Sequence, residues 1–287
     1  MIYSGLPNLG VDDIAVLKSL SENRALGSFG FLLDSLAVIS ASYGRYVAVG
    51  GDPWGISGPV IMPDNLKRSL ITHYEGEIKG LEYISKIRNE VRTDVCPLCG
   101  STKPPGQVDH FIPKEDYPEY SFFIPNLVSA CDCNLHKGKS YKGKVNGERL
   151  LHPYFDRCMS ERLIYLSFEG DVSAPDIKIK VMPAFLHNTA LNYHIQTIHS
   201  KTKLLSYAAN VWAKISSAPR LHLLLRKTNY PRVSREILSE RLDEMREISD
   251  DKHSTPNNWD SAIYYGLSKN NRQIEYLIGR IESEEVI

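Results

Sequence analysis

Four of the five cysteines lie in two close pairs, an arrangement typical of a metal site. The pairs are Cys96 with Cys99 and Cys131 with Cys133, whereas Cys158 lies outside the pattern and is predicted to be an ordinary packing residue. Thiolates prefer Zn²⁺ and can close a tetrahedral site around it, so the paired residues predict a structural Zn²⁺. The second pair has a single residue between its members, and the alternative is four buried free thiols.

Between the two cysteine pairs lies a candidate acid–base pair, Asp109-His110. Histidine has the side-chain pKa nearest neutrality, which makes His110 the candidate general base. A carboxylate is a hard oxygen ligand, so Asp109 suits Mg²⁺ or Mn²⁺. Hydrolysis of a phosphodiester needs both, because a water must be deprotonated while a cation neutralises charge on the phosphate and the leaving oxygen.

The motifs from Cys96 to Lys139, taken in order, resemble those of the HNH (ββα-metal) endonuclease family. Each piece alone is weak, and the order in which they occur makes the resemblance specific. It implies a strand, a loop, a second strand and a helix, with the active site inside this stretch. The motifs are Cys96-Pro-Leu-Cys99-Gly, Val108-Asp109-His110-Phe-Ile-Pro113, Pro125-Asn126-Leu127-Val128 and Cys131-Asp-Cys133-Asn134-Leu-His136-Lys137-Gly-Lys139.

The resemblance assigns roles to individual residues. His110 matches the family's first histidine, and Asp109 matches the acidic residue before it. Asn126 matches the asparagine of the loop, which is expected to orient the base or pin the loop. Asn134 matches the last position, a ligand of the catalytic Mg²⁺ or Mn²⁺, and would make the site an HNN-like variant.

The second cysteine pair is one residue shorter here than in the family, which leaves the third metal ligand open. Counting forward from Asn126 places the last ligand nearer His136, which has Lys139 three residues further on. Asn134 has Lys137 at the same distance, and its Cys-Asn-x-x-Lys-Gly context is a familiar form. Asn134 is favoured, and His136 is kept as its rival.

A run of lysines follows the candidate site and predicts contacts with a nucleic-acid backbone. Glu148 is the single acid among them, Tyr141 lies between them, and glycines keep the backbone open. The alternative is a solvated loop without a ligand. The lysines are Lys137, Lys139, Lys142 and Lys144, with Arg149 behind them.

The elements around these residues predict an α+β protein that is mainly helical. A small zinc-stapled ββα-metal module at 94–156 is placed between a helical N-terminal region at 1–93 and a C-terminal region at 157–287. In the first region, Asp12 and Asp13 cap a stretch through Leu20, an apolar stretch covers 29–39, and 50–63 is a loop.

A longer helix is predicted from Asp64, with apolar residues at helical spacing from Leu66 to Ile84. In the last region, alternation predicts strands at 162–168 and 177–182, and helical patterns follow at 189–215, 232–249 and 259–284. The segment His152-Pro153-Tyr154-Phe155-Asp156 is expected to pack the module against the C-terminal region, and the alternative is that Asp156 or His152 faces the site.

Charge and hydropathy exclude several classes of protein. The 34 basic residues balance 34 acidic ones, which argues against a generally basic, polyanion-coating protein but leaves room for a local basic patch. No apolar run reaches the ~18 residues that span a bilayer, and the first ten residues lack the pattern of a signal peptide. We therefore expect a cytoplasmic protein without a membrane partner, in which close cysteine pairs bind metal.

Three function classes remain: a DNA endonuclease, an RNA endonuclease that cuts a structured RNA such as tRNA, and a zinc module that binds nucleic acid without catalysis. DNA is the default substrate because the ββα-metal mechanism does not require a 2′-hydroxyl. Asp109, His110 and Asn126 argue against pure binding, which needs no acid–base pair. A cysteine-nucleophile enzyme lacks support because the cysteines pair as ligands.

The wider chain is similar to HNH effectors of bacterial anti-phage systems, of the Septu and retron-linked type. The similarity lies in the small module with helical flanks, the Lys-Gly-rich tail and the segment 152–156. It implies an ATPase partner that restrains or triggers the nuclease, docked on the helical N- and C-terminal regions. The alternative is a free-standing nuclease of a restriction or mobile element.

Overall fold

A computed structural model describes residues 1–76, 78–89, 93–226, 229–230 and 232–283. Within these residues the chain is an α+β protein, and helices occupy about half of it. Its strands form two separate two-stranded sheets. The predicted class, α+β with a predominance of helices over strands, is confirmed.

The described residues of the N-terminal region, 1–76, 78–89 and 93, form four helices. Asp12 caps the first helix as predicted, because its carboxylate accepts hydrogen bonds from the amides of Ile14 and Ala15. The second helix extends well beyond the apolar stretch at 29–39 and buries Tyr43 and Tyr46 near its end. Residues 50–63 contain neither helix nor strand, as predicted. The helices are α1 (Asp13–Glu22), α2 (Phe31–Ala48), α3 (Asp64–Glu75) and α4 (Glu82–Asn89).

The apolar pattern from Leu66 to Ile84 predicted one helix, and the structure instead has two. The pattern is interrupted by Gly76, which follows α3, and by Gly80, which precedes α4. Gly80 has a φ of +99°, a conformation that side chains with a Cβ rarely adopt. Helix α4 packs against both strands of the central hairpin. Residue 77 lies outside the described residues.

The central hairpin consists of β1 (Gln107–His110) and β2 (Leu127–Ala130), which pair antiparallel with His110 opposite Leu127. A loop at 111–126 joins the two strands and contains two short 3-10 turns. A one-turn helix, α5 (Asn134–Lys137), follows β2 after the second cysteine pair. The order strand, loop, strand, helix is the one expected between Cys96 and Lys139.

The C-terminal region begins with the antiparallel pair β3 (Ile164–Glu169) and β4 (Asp176–Val181), close to the predicted strands. The helical pattern at 189–215 forms two helices, and so does the pattern at 259–284, whose last residue lies outside the described ones. Helix α10 packs closely on β3, because Gly266 brings its backbone against the Leu166 carbonyl. The helices are α6 (Thr189–Thr197), α7 (Leu204–Ser217), α8 (Pro219–His222), α9 (Arg235–His253), α10 (Trp259–Ser268) and α11 (Asn271–Ser283).

One buried apolar cluster runs through all three regions, from Leu17 of α1 through Phe111 of the hairpin loop to Ile281 of α11. The central module therefore shares its core with the helices on both sides of it. None of the helices in the described ranges has the length and apolar character needed to cross a membrane.

Candidate metal centres and catalytic loop

The four paired cysteines are buried and converge on one point. Their sulfur atoms lie within 4.8 Å of one another, and the Cys96–Cys133 and Cys99–Cys131 sulfur pairs are 3.6 Å apart. Around a tetrahedral Zn²⁺ with bonds of about 2.3 Å, sulfur atoms lie about 3.8 Å apart. The separations are too long for disulfide bonds. The donor set fits a structural Zn²⁺.

The turn that carries the first cysteine pair is held by the C-terminal region. Trp259 donates its indole N–H to the Cys99 carbonyl at 2.7 Å, and the His194 Nε2–H donates to the Leu98 carbonyl at 2.7 Å. Gly100 has a φ of +72°, and a Cβ there would lie 2.0 Å from the backbone carbonyl oxygen of Asn257. Because of these contacts, the four-cysteine cluster links the hairpin to helices α6 and α10 of the C-terminal region.

Helix α5 packs on β1 through two pairs of side chains. Gln107 and Asp109 lie on one face of the strand because they are two residues apart, and Asn134 and Lys137 share one face of the helix because they are three apart. The Asn134 amide donates to Gln107 Oε1 at 3.0 Å, and the Lys137 ammonium donates to the Asp109 carboxylate. Asp109 and Asn134 therefore lie at the same interface.

The Asp109 carboxylate and the Asn134 amide oxygen lie at this interface, and both are of the hard donor type that Mg²⁺ and Mn²⁺ prefer. Asn134 Oδ1 is buried and has no hydrogen-bond partner among the described residues, so this acceptor is left for a ligand. Burial raises the pKa of Asp109, and the Lys137 ammonium opposes that rise. Asp109 and Asn134 are the residues that would hold Mg²⁺ or Mn²⁺ here.

Lys137 differs from its expected place on a nucleic-acid-binding surface. Its side chain is 2% exposed, and its ammonium contacts the Asp109 carboxylate and the His110 carbonyl. The reason is geometric, because the residue three positions after Asn134 faces β1. Lys137 links α5 to the hairpin through these contacts. Its buried ammonium cannot contact a phosphate on the surface.

His110 ends β1 and is held in one orientation. Its Nε2 lies 2.8 Å from the Ser121 carbonyl oxygen, which can only accept, so Nε2 carries the proton. The edge of the ring contacts Tyr74, with centroids 4.3 Å apart. Burial lowers the pKa of His110 to about 4, so the ring is neutral at pH 7. Nδ1 is then the basic nitrogen, and it has no hydrogen-bond partner within the described ranges.

Asn126 pins the loop between the strands. Its side chain is fully buried, accepts from the Ile112 amide at 2.8 Å, and donates to the carbonyls of Ile112 and Tyr120 at 2.9 and 3.3 Å. A third group, the Tyr46 hydroxyl of α2, lies 3.1 Å from Asn126 Oδ1. These contacts are those of a loop-fixing residue, one of the two roles predicted for Asn126.

His136 is exposed and lies on a different side of α5 from Asn134. It borders a cavity of about 470 Å³ between the cysteine cluster and α7, lined also by Lys103, Lys203 and Tyr207. Asn134 instead faces β1 and Asp109 through its contact with Gln107. The geometry favours Asn134 over His136 as the partner of Asp109 in a metal site.

The remaining lysines of the predicted phosphate-contacting run lie near the surface. Lys139 pairs with Asp116 at 2.8 Å and is 66% exposed at its side chain, while Lys144 is exposed. The Lys142 ammonium lies over the rings of Trp54 and Tyr141, at 5.2 and 5.8 Å from their centroids.

Sequence patterns carry little sign of the residues that hold the 111–126 loop from outside it. Tyr46 and Tyr74 belonged to apolar helical patterns, which predicted only packing. The segment 152–156 was expected to pack against the C-terminal region, with His152 facing the site as the alternative, and the His152 ring contacts Tyr46 and Phe111. Asp156 forms a bidentate pair with Arg149, so both charges are satisfied locally. A buried tyrosine or histidine far along the chain carries no spacing signal that would reveal such a contact.

Comparison with known proteins gives one partial similarity. A stretch of 76 residues is 34% identical to Protein ea31 of Escherichia phage lambda, and it covers 25% of this chain and 26% of that protein. The chain thus spans about a quarter of the length of this phage relative. No family model matches the chain, and no solved structure matches it significantly.

Proposed function

We propose that the protein is a divalent-metal-dependent endonuclease of the HNH type, which hydrolyses phosphodiester bonds in nucleic acid. The observation that carries this proposal is the arrangement at the end of β1. A neutral histidine held by a backbone carbonyl, His110, follows a carboxylate, Asp109, whose interface with α5 also contains the unpartnered oxygen of Asn134.

In the proposed reaction His110 acts through Nδ1. This nitrogen accepts a proton from the attacking water, and the Ser121 carbonyl keeps the ring in the tautomer that leaves Nδ1 free. The metal supplies charge neutralisation at the phosphate when it is bound. Asp109 and Asn134 would hold it, and Lys137 fixes the orientation of the Asp109 carboxylate. The zinc cluster holds the two ends of the hairpin together.

We propose DNA as the substrate, because this chemistry needs no 2′-hydroxyl group. An RNA substrate would use the same site, and the exposed Lys139 and Lys144 and the half-buried Lys142 would contact either backbone. A zinc module that only binds nucleic acid would leave the Asp109–His110 arrangement without a purpose. The same cleavage experiment discriminates among the three.

The test compares purified wild-type protein with the His110→Ala variant on plasmid DNA, single-stranded DNA and total tRNA. Each substrate is incubated with Mg²⁺, with Mn²⁺ and with EDTA. The proposal expects metal-dependent cleavage that the variant loses while it keeps its zinc content and melting temperature. Cleavage retained in the variant would remove His110 as the base, and binding without cleavage would favour the zinc-module alternative.

We also propose an anti-phage role with an ATPase partner, for which the support is the resemblance of the whole chain to defence effectors. The first two helices expose apolar side chains that a partner could cover, among them Ile14, Phe31 and Val38. The role predicts that a bacterium expressing the wild-type chain with its partner forms fewer phage plaques than one expressing the His110→Ala variant. Equal plaque counts would favour a free-standing nuclease.

A further inference from the structure

A series of hydrogen bonds reaches the 111–126 loop from residues that lie outside this loop. The Tyr154 amide donates to His152 Nδ1 at 3.2 Å, so the proton of the neutral ring is on Nε2. His152 Nε2 lies 3.1 Å from the Tyr46 oxygen, and that oxygen lies 3.1 Å from Asn126 Oδ1. The direction of every bond follows: His152 donates to Tyr46, and Tyr46 donates to Asn126.

Every side chain in this series of hydrogen bonds is buried, so water cannot replace a lost hydrogen-bond partner. Tyr46, His152 and Asn126 each have an exposed fraction of 0%. A Cβ on Gly51 would lie 2.6 Å from the His152 ring, so the backbone of the 50–63 loop closes over the histidine. An unpaired polar group in such a place is costly, and the three side chains therefore constrain one another.

The series of hydrogen bonds continues from Asn126 to His110, the candidate base. The Asn126 amide donates to the Tyr120 carbonyl, and the next carbonyl, that of Ser121, accepts the Nε2–H of His110. Tyr120 is also fixed from α2, because its hydroxyl lies 2.6 Å from that of Ser42. The Asn126 amide thus helps to hold the backbone at 120–121, together with the bonds that the Ser121 hydroxyl and amide donate to the Pro118 carbonyl, and so contributes to where the Ser121 carbonyl meets His110.

We propose that Tyr46 and His152 are positioning residues for His110, acting through Asn126 and the Tyr120–Ser121 backbone. The catalytic part of this inference rests on the proposed nuclease function, in which His110 is the base. The structural part of the inference does not rest on the proposed function. It concerns only the orientation of the His110 ring and which of its two nitrogens carries hydrogen. A helix of the N-terminal region and the last segment of the central module, 152–156, therefore both contribute to the candidate active site.

Helix α2 contains two tyrosines that allow a matched pair of substitutions. Tyr43 and Tyr46 are both buried, and both rings contact Phe123. The Tyr43 hydroxyl has no hydrogen-bond partner among the described residues, whereas the Tyr46 hydroxyl bridges His152 and Asn126. Each Tyr→Phe change removes one buried oxygen, and only Tyr46→Phe breaks the series of hydrogen bonds.

The first measurement needs no activity. In protein labelled with ¹⁵N-histidine, proton–nitrogen correlation spectra report which ring nitrogen carries hydrogen, and His110→Ala assigns the His110 signals. We expect Tyr46→Phe to speed solvent exchange of the His110 Nε2–H by about tenfold, the factor that one hydrogen bond contributes. Tyr43→Phe should leave it unchanged. Equal effects of the two variants, or no effect of either, would overturn the inference.

The second measurement uses cleavage by the full chain with saturating metal. Tyr46→Phe should lower kcat about tenfold with KM unchanged, while Tyr43→Phe keeps the wild-type kcat. His152→Leu should behave like Tyr46→Phe, and His152→Gln, which keeps a donor at the position of Nε2, should recover part of the loss. A KM effect without a kcat effect would refute positioning. If the wild type cuts no substrate, the proposed function fails, and the exchange rates alone decide this inference.

Discussion

Breaking the ion pair between Lys137 and Asp109 is the most direct perturbation of the candidate site. Lys137→Met keeps most of the side-chain volume and removes the charge. It leaves the Asp109 carboxylate without its cation and the His110 carbonyl without one donor. The substitution therefore reports how far the ammonium supports the interface between β1 and α5.

The expected magnitude follows from the burial of the two partners. Removing one member of a fully buried pair costs roughly 3–5 kcal/mol, because the other charge is left uncompensated. Lys137 is 2% exposed, but Asp109 is 20% exposed at its side chain and regains part of its hydration. We expect a loss of about 2–3 kcal/mol in the free energy of unfolding for Lys137→Met, and about 2 kcal/mol for Asp109→Asn.

A double-mutant cycle in urea tests this reasoning. The two single variants and the combined variant are unfolded with zinc present, and midpoints and slopes are measured for each. The combined variant should lose less than the sum of the two, with a coupling of about 1.5 kcal/mol or more. A coupling below about 0.5 kcal/mol would show that the ammonium and the carboxylate do not support each other, and would refute the assignment of Lys137 as the tie between α5 and β1.

Four further predictions concern the metals, a glycine and pH. Cys96→Ser should lose bound zinc and several kcal/mol of stability together, measured by metal analysis and urea unfolding, and unchanged zinc content would contradict the four-cysteine site. Asn134→Ala should weaken activation by Mn²⁺ at least tenfold while His136→Ala does not, and the reverse result would make His136 the ligand. Gly51→Ala should cost more than about 2 kcal/mol in unfolding free energy because its Cβ would meet the His152 ring, and a smaller loss would show that the loop can move away. Burial raises the pKa of Asp13 to about 7, so the folded protein holds this proton more tightly than the unfolded chain, and stability should fall as pH rises from about 4 to 7. Asp13→Asn should flatten that part of the pH profile, and an unchanged slope would rule Asp13 out as its source.

The residues that could be predicted from sequence are those whose chemistry depends on local spacing. Cys96, Cys99, Cys131 and Cys133 were predicted to meet, and they do, because two close pairs at the ends of a hairpin have few other arrangements. The cap at Asp12 and the alternation in β3 and β4 are equally local signals. Such features need no knowledge of how distant parts of the chain pack.

Predictions failed where a side chain had alternatives that only packing decides. Lys137 belonged to a lysine-rich run that suggested a surface, yet its place on α5 directs it inward to Asp109. The apolar residues from Leu66 to Ile84 fitted one helix. Their spacing carries no information about the turn of the backbone at Gly80, where φ is positive. The roles of Tyr46 and His152 depend on contacts across 80 or more residues, which no periodicity encodes.

The shared core has a consequence for how such a module can be moved between proteins. A fragment cut at 94 and 156 would keep every motif and the four cysteines, but it would expose Phe111, which packs on the same cluster as α2, and lose the Tyr46 hydroxyl bound to Asn126. It would also lose Trp259 and His194, which hold the cysteine turn. Grafting this site onto another scaffold would therefore require transplanting the flanking helices with it, and in evolution the site and its helical surroundings are expected to be inherited as one unit.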